Sequence, residues 1–127
     1  MKEFTLLFRM DITSKEAQPA PGQMQQYMQD WMAWINEISE KGQLANGGNH
    51  FLPAGKLLRP KNKITDGPYT VNKESVAGYI IILARNMKGA ILVAEKCPIL
   101  EGVGTSVEIR ETATPQGMKE VKRKANK

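Results

Sequence analysis

The sequence predicts one α+β domain in which two helices cover a single face of an antiparallel sheet. Three observations predict it. Two segments carry apolar residues three or four apart, several others have strand character, and the two kinds alternate along a chain of 127 residues. A chain of that length builds a core without disulfide or metal support. The domain is assigned to residues 1–112, and residues 113–127 are read as a basic, flexible tail.

Each element has a local cause. Residues 3–10, "EFTLLFRM", alternate with Phe4, Leu6 and Phe8 on one face, which is a strand pattern. Pro19 and Pro21 stand where proline starts a helix rather than interrupts one. From about Gly22 to Lys41, Met24, Tyr27, Met28, Trp31, Ile35 and Ile38 fall on one helical face, and Gly42 is placed to cap its end. Residues 43–51 read as a strand loosened by Gly47 and Gly48, followed by a hairpin in "LPAGKLLRPKNKIT". Residues 75–85 form a strongly apolar strand. Asn86 is a helix N-cap, with Met87, Ala90, Ile91 and Ala94 as the stripe of a short helix that Pro98 stops. "TSVEIRE", 105–111, alternates as the last strand.

The resulting order, β-α-β-(hairpin)-β-α-β, is the ferredoxin-like βαββαβ arrangement with an inserted hairpin. Val76, Ala77 and Tyr79 to Leu83 are apolar on both strand faces. Two helices cover only one side of such a sheet, so the other side needs a cover, and the simplest is a second copy of the chain.

Composition narrows the function. Of the net charge of +5, residues 119–127 carry +4, leaving the folded body almost neutral. A nucleic-acid footprint belongs on the body, so no direct contact with nucleic acid is expected. No apolar run approaches the roughly 20 residues that cross a bilayer, and no membrane association is expected. A single cysteine, Cys97, fits a cytoplasmic protein, and one histidine, His50, leaves no set for a metal site. No cofactor is expected. Motifs for serine hydrolases, phosphate-binding loops and zinc proteases are absent.

The segment "DGPYTVNKE", Asp66 to Glu74, resembles the DGPF motif, Asp-Gly-Pro-Phe followed by Ala-Glu-Thr-Lys-Glu. Gly78-Tyr79 matches the Gly-aromatic pair that precedes the aliphatic strand. "MKEFTLLFR", "EKGQLANGG" and "CPILEGVGTSVEIRE" extend the likeness over about residues 1–111. The chain thus resembles the YCII-related, DGPF-domain proteins, small bacterial domains of the dimeric α+β barrel superfamily. That resemblance implies a homodimer packed sheet to sheet. It also implies a small, often aromatic or quinoid ligand, and a functional link to a sigma factor. Tyr69 replaces the usual Phe, and Thr70, Val71 and Asn72 replace Ala-Glu-Thr. The histidine that the family pairs with an aspartate would fall at Asp30 or Trp31, so that half of the pair is absent here.

Two functions stay open on these grounds. One is a small-molecule-binding or regulatory domain with a pocket near the Asp66–Tyr69 turn. The other is a cofactor-free enzyme using acid–base chemistry. Asp66 is a turn residue and also the candidate catalytic carboxylate, with Tyr69 beside it as a hydroxyl donor. Arg9 ends the first strand, as a rim salt bridge or a ligand contact. Lys73 is a solvated charge or an anion contact, His50 an ordinary polar residue or a ligand contact, and Trp31 a core residue or a cavity wall. Lys56, Arg59, Lys61 and Lys63 make the hairpin basic, which suits a solubilising edge.

Overall fold

The computed structural model describes residues 1–11 and 21–113. Pro19 and nearly all of the basic tail lie outside the described residues. The elements run β1 (Lys2–Met10), α1 (Pro21–Glu40), β2 (Leu44–His50), β3 (Lys56–Arg59), β4 (Lys63–Asp66), β5 (Ser75–Ala84), α2 (Met87–Ala94) and β6 (Thr105–Glu111). Four strands form one sheet in the order β2-β5-β1-β6, every pairing antiparallel, and β3 and β4 form a separate hairpin. This is the ferredoxin-like arrangement with an inserted hairpin. Among the described residues no helix is long and apolar enough to cross a membrane.

Alternation along the two central strands divides the sheet into unlike faces. Phe4, Leu6 and Phe8 of β1 and Ile80, Ile82 and Ala84 of β5 are buried beneath the helices, with Val107 and Ile109 of β6 packed against them. Helix α1 adds Trp31, Trp34 and Ile38, and α2 adds Ala90 and Ala94. Trp34 also donates its indole N–H to the Val93 carbonyl at 3.1 Å, tying the two helices together. Leu7, Tyr79, Ile81 and Leu83 point the other way and stand outside this core. A polar strip borders them: Arg9 on Glu108 at 2.7 Å, and the Thr5 and Thr112 hydroxyls 2.6 Å apart.

The caps follow the sequence. Gly42 adopts φ +70 and the Gln43 amide bonds the Ile38 carbonyl at 3.0 Å, closing α1. The Asn86 side chain accepts from the Gly89 amide at 2.9 Å, opening α2. Two details differ from the sequence reading. Met24 and Met28 are exposed on α1 while Trp34 is core, because the buried stripe lies along the second half of the helix. Met87 and Ile91 are likewise exposed on α2, which buries Ala90 and Ala94 and packs Val93 partly against the core.

Two glycines govern how β2 joins the sheet. Gly48 has φ +63, and a Cβ there would lie 1.6 Å from the Tyr79 carbonyl oxygen. At Gly78 a Cβ would meet the Asn49 carbonyl oxygen at 2.6 Å. Gly48→Ala is therefore expected to destabilise the fold by roughly 2 kcal/mol or more, through both the left-handed backbone and the clash. Thermal unfolding measures this; a melting temperature within about one degree of the parent would contradict the close approach.

Burial pushes the Cys97 thiol up to about 12 from 9.0, an effect only partly offset by the backbone hydrogen bond of Ile99. Burial, then the neighbouring Cys97 and Glu101, push the Tyr27 hydroxyl up to about 12 from 10.0. Both folded values lie above the unfolded ones, so below pH 9 neither group changes stability with pH. Between about 9 and 12 the unfolded chain releases protons that the folded chain keeps, and stability falls as pH rises. Melting temperatures of the parent are expected to decline across this range more steeply than those of Cys97→Ala and Tyr27→Phe. Equal slopes in all three would refute the assignment.

Candidate functional site

One row of the sheet builds the site. His50 on β2 pairs with Gly78 on β5, and Gly78 pairs with Phe8 on β1. Paired residues of an antiparallel sheet project to the same side, so a ring, a bare glycine and a second ring lie side by side under α1. Phe8 meets Trp31 edge to face at 4.8 Å between centroids and Trp34 at 6.0 Å. The His50 ring lies 5.0 Å from Trp31, and Tyr27 lies 5.8 Å from it on the next turn back. Trp31 is thus the hub of an aromatic cluster, bordered where Gly78 supplies no side chain.

A cavity of about 590 Å³ opens beside this cluster, between the first half of α1, the sheet, and the chain from Ile99 to Thr105 after α2. Its walls are largely apolar: Phe8, Met10, Met24, Met28, Trp31, Ile99 and Val103. Four lining side chains bring chemistry, namely Tyr27, Asp30, His50 and Glu101. With its ionisation pushed to about 12, the Tyr27 phenol stays a neutral hydroxyl at ordinary pH. Asp30 accepts the Gln26 amide at 2.9 Å. A few hydrogen-bonding groups on an apolar wall suit a flat apolar molecule with a polar substituent. A groove of about 660 Å³ lies elsewhere, between the end of α1 and α2. Its charged lining includes Lys41, Arg85, Lys88 and Lys96, with Glu37 holding both Lys41 and Lys96.

The residues singled out from sequence separate into three places. Trp31 and His50 meet in the cavity. Arg9 lies on the opposite face of the sheet, its guanidinium on Glu108 at 3.0 and 2.7 Å. Asp66, Tyr69 and Lys73 sit on and after the β3–β4 hairpin. The Asp66 side chain is 90% exposed and pairs with Lys56 across the hairpin. Tyr69 is 58% exposed, and neither it nor Asp66 lines the cavity or the groove. Gly67, at φ +90, makes the corner that "DGP" announces.

Beyond Asp66 the polar run is a second turn. Val71 and Glu74 exchange backbone hydrogen bonds of 2.9 Å in both directions, with Asn72 and Lys73 at positive φ between them. Glu74 then accepts the Ser106 hydroxyl at 2.5 Å.

Sequence reasoning missed Tyr27, Asp30 and Glu101 as wall residues. Tyr27 was legible as part of the apolar stripe, and Met24 and Met28 beside it carried the only signal: side chains too many for the sheet beneath to bury. The position on α1 where the family resemblance places a histidine holds Asp30 and Trp31, and both line the cavity.

No curated protein matches the chain. The family model described as YCII-related domain matches residues 7–113. That span runs from the middle of β1 past the end of β6 and takes in every element of the sheet and both helices. The chain therefore belongs to the family of YCII-related domain proteins.

Proposed function

We propose that the protein is a homodimeric small-molecule-binding domain. Its ligand enters the cavity beside Trp31 and His50, and its partner copy covers the open sheet face. The observation that carries the ligand half is the built character of the cavity: an apolar, aromatic wall with a few convergent hydrogen-bonding groups. The open face carries the other half. Leu7, Tyr79, Ile81 and Leu83 form an apolar patch across the two central strands, and neither helix reaches it. Apolar area removed from water contributes roughly 25 cal/mol per Å², and a face that meets its own copy about a two-fold axis is self-complementary. The resemblance to a superfamily of dimeric α+β barrels supports this pairing.

A second reading, a cofactor-free acid–base enzyme, uses the same cavity. The observation that favours it is that His50 and Asp30, a base and a carboxylate, line one wall system. Asp66 and Tyr69, the residues first drawn to attention by the turn, take the role of architecture in both readings.

Two measurements test the proposal. At micromolar concentration the protein is expected to sediment with twice its 14.1 kDa mass, and Ile81→Asp to sediment as a folded monomer. A monomeric parent would sink the dimer. For the ligand, naphthylmethanol, a neutral aromatic probe, is expected to shift the Trp31 indole resonance in a titration. His50→Ala is expected to weaken that binding at least threefold, about 0.7 kcal/mol, while Asp66→Asn leaves it within twofold. No shift of Trp31 up to the solubility limit, or an equal loss in Asp66→Asn, would overturn the site.

A further inference from the structure

We infer that the cavity selects aromatic molecules that carry a positive charge, of the arylalkylamine or aryl quaternary ammonium class. The inference rests on the reading of the cavity as a ligand site and adds the sign of the ligand's charge.

The charges around the cavity are of one sign. Among the described residues no lysine or arginine lines it, while Asp30 and Glu101 both do. The groove between α1 and α2 shows the contrast, with three lysines and an arginine in its lining. Among the described residues neither Asp30 nor Glu101 forms a salt bridge. Asp30 is half-buried and engages only the neutral amide of Gln26. Glu101 stands on the short turn Pro98–Glu101, close enough to Tyr27 for its charge to oppose ionisation of the phenol. The two carboxylates therefore arrive at one cavity from separate elements, each without a cation partner among the described residues.

The rest of the wall completes the preference. Trp31 is held by Phe8 and flanked by Tyr27 and His50. A cation within about 6 Å of an indole or phenol face is attracted by the ring quadrupole, most strongly where water is scarce. The thioethers of Met24 and Met28 add a polarizable apolar surface that accommodates a flat ring without fixing its shape. An ammonium group on an aromatic body would meet negative charge at the carboxylates and negative ring faces at the wall. A carboxylate on the same body would meet two like charges, which repel it. A neutral ligand gains the wall alone.

The test compares three probes with one ring system: naphthylmethylamine, naphthylmethanol and naphthoate, titrated at neutral pH against the full chain while the Trp31 indole resonance is followed. The amine is expected to bind at least tenfold more tightly than the alcohol, and naphthoate more weakly than either. The double variant Asp30→Asn with Glu101→Gln is expected to bring amine and alcohol binding within threefold of each other. Raising salt is expected to reduce the amine's advantage. If the alcohol binds at Trp31 and the amine shows no advantage, or keeps it in the double variant, the charge preference is overturned and the cavity stands as a ligand site. If none of the three shifts Trp31, both the preference and the site reading fail.

Discussion

The structure depends on a constraint at one row of the sheet, where Phe8, Gly78 and His50 lie side by side. Gly78 cannot carry a side chain, because the backbone of β2 crosses too closely at Asn49. That same bareness lets α1 settle with Trp31 against Phe8 on one side and His50 on the other. A side chain in the middle would force β2 away from β5. Gly48 enforces the approach from the opposite strand, where only a left-handed glycine fits against the Tyr79 carbonyl. Fold and site are thus consequences of one steric requirement, which is why an aromatic hub deep in the core can also border a cavity.

The two faces of the sheet answer different demands. Beneath the helices the strands are filled to burial by large side chains, with tryptophans closing the gaps. On the far face the apolar centre of Leu7, Tyr79, Ile81 and Leu83 grades into hydrogen-bonded polar pairs toward β6. Arg9 is the clearest case of that division. Its neighbour Phe8 is in the core, and one residue along the strand its guanidinium already belongs to the other face, held by Glu108 two residues from its own cross-strand position. An apolar centre with a satisfied polar margin is how a surface meets a partner without adding unpaired charge.

How much of this was legible depends on the distance over which each feature is decided. Caps and strands are local, so Gly42, Asn86 and the alternation of β1 could be read directly. The fold class followed from element order. The stripe on α1 was half legible: Trp31 was read as core, but Met24 and Met28 were read with it, since periodicity records a face and not how much of that face the sheet reaches. The site was less legible because it joins α1, the end of β2 and the turn after α2, three segments whose meeting no short motif encodes. Trp31 and His50 were identified singly, without their contact. Asp66 and Tyr69 stand in a compact motif whose local geometry was legible, with Gly67 making the corner at φ +90 and Asp66 pairing with Lys56 across the hairpin.

That leaves the reason a polar run should precede the most apolar strand of the chain. Between Val71 and Glu74 the backbone reverses through two residues of positive φ, one of them Asn72, a residue type that tolerates this conformation. The reversal delivers Glu74 to Ser106 of β6 and starts β5 beside the end of β1. Immediately afterwards the pairing skips a residue: Arg9 faces Val76, Phe8 faces Gly78, and Ala77 is the extra one, its carbonyl taken by the Phe51 amide at 2.7 Å. Without that bulge every later side chain of β5 would project to the other face, and Gly78 would leave the row it shares with Phe8 and His50. The polar half of the segment therefore sets the register that the apolar half obeys. Its chemistry is spent on placing one glycine, and through that glycine it shapes a cavity that none of its own side chains touches.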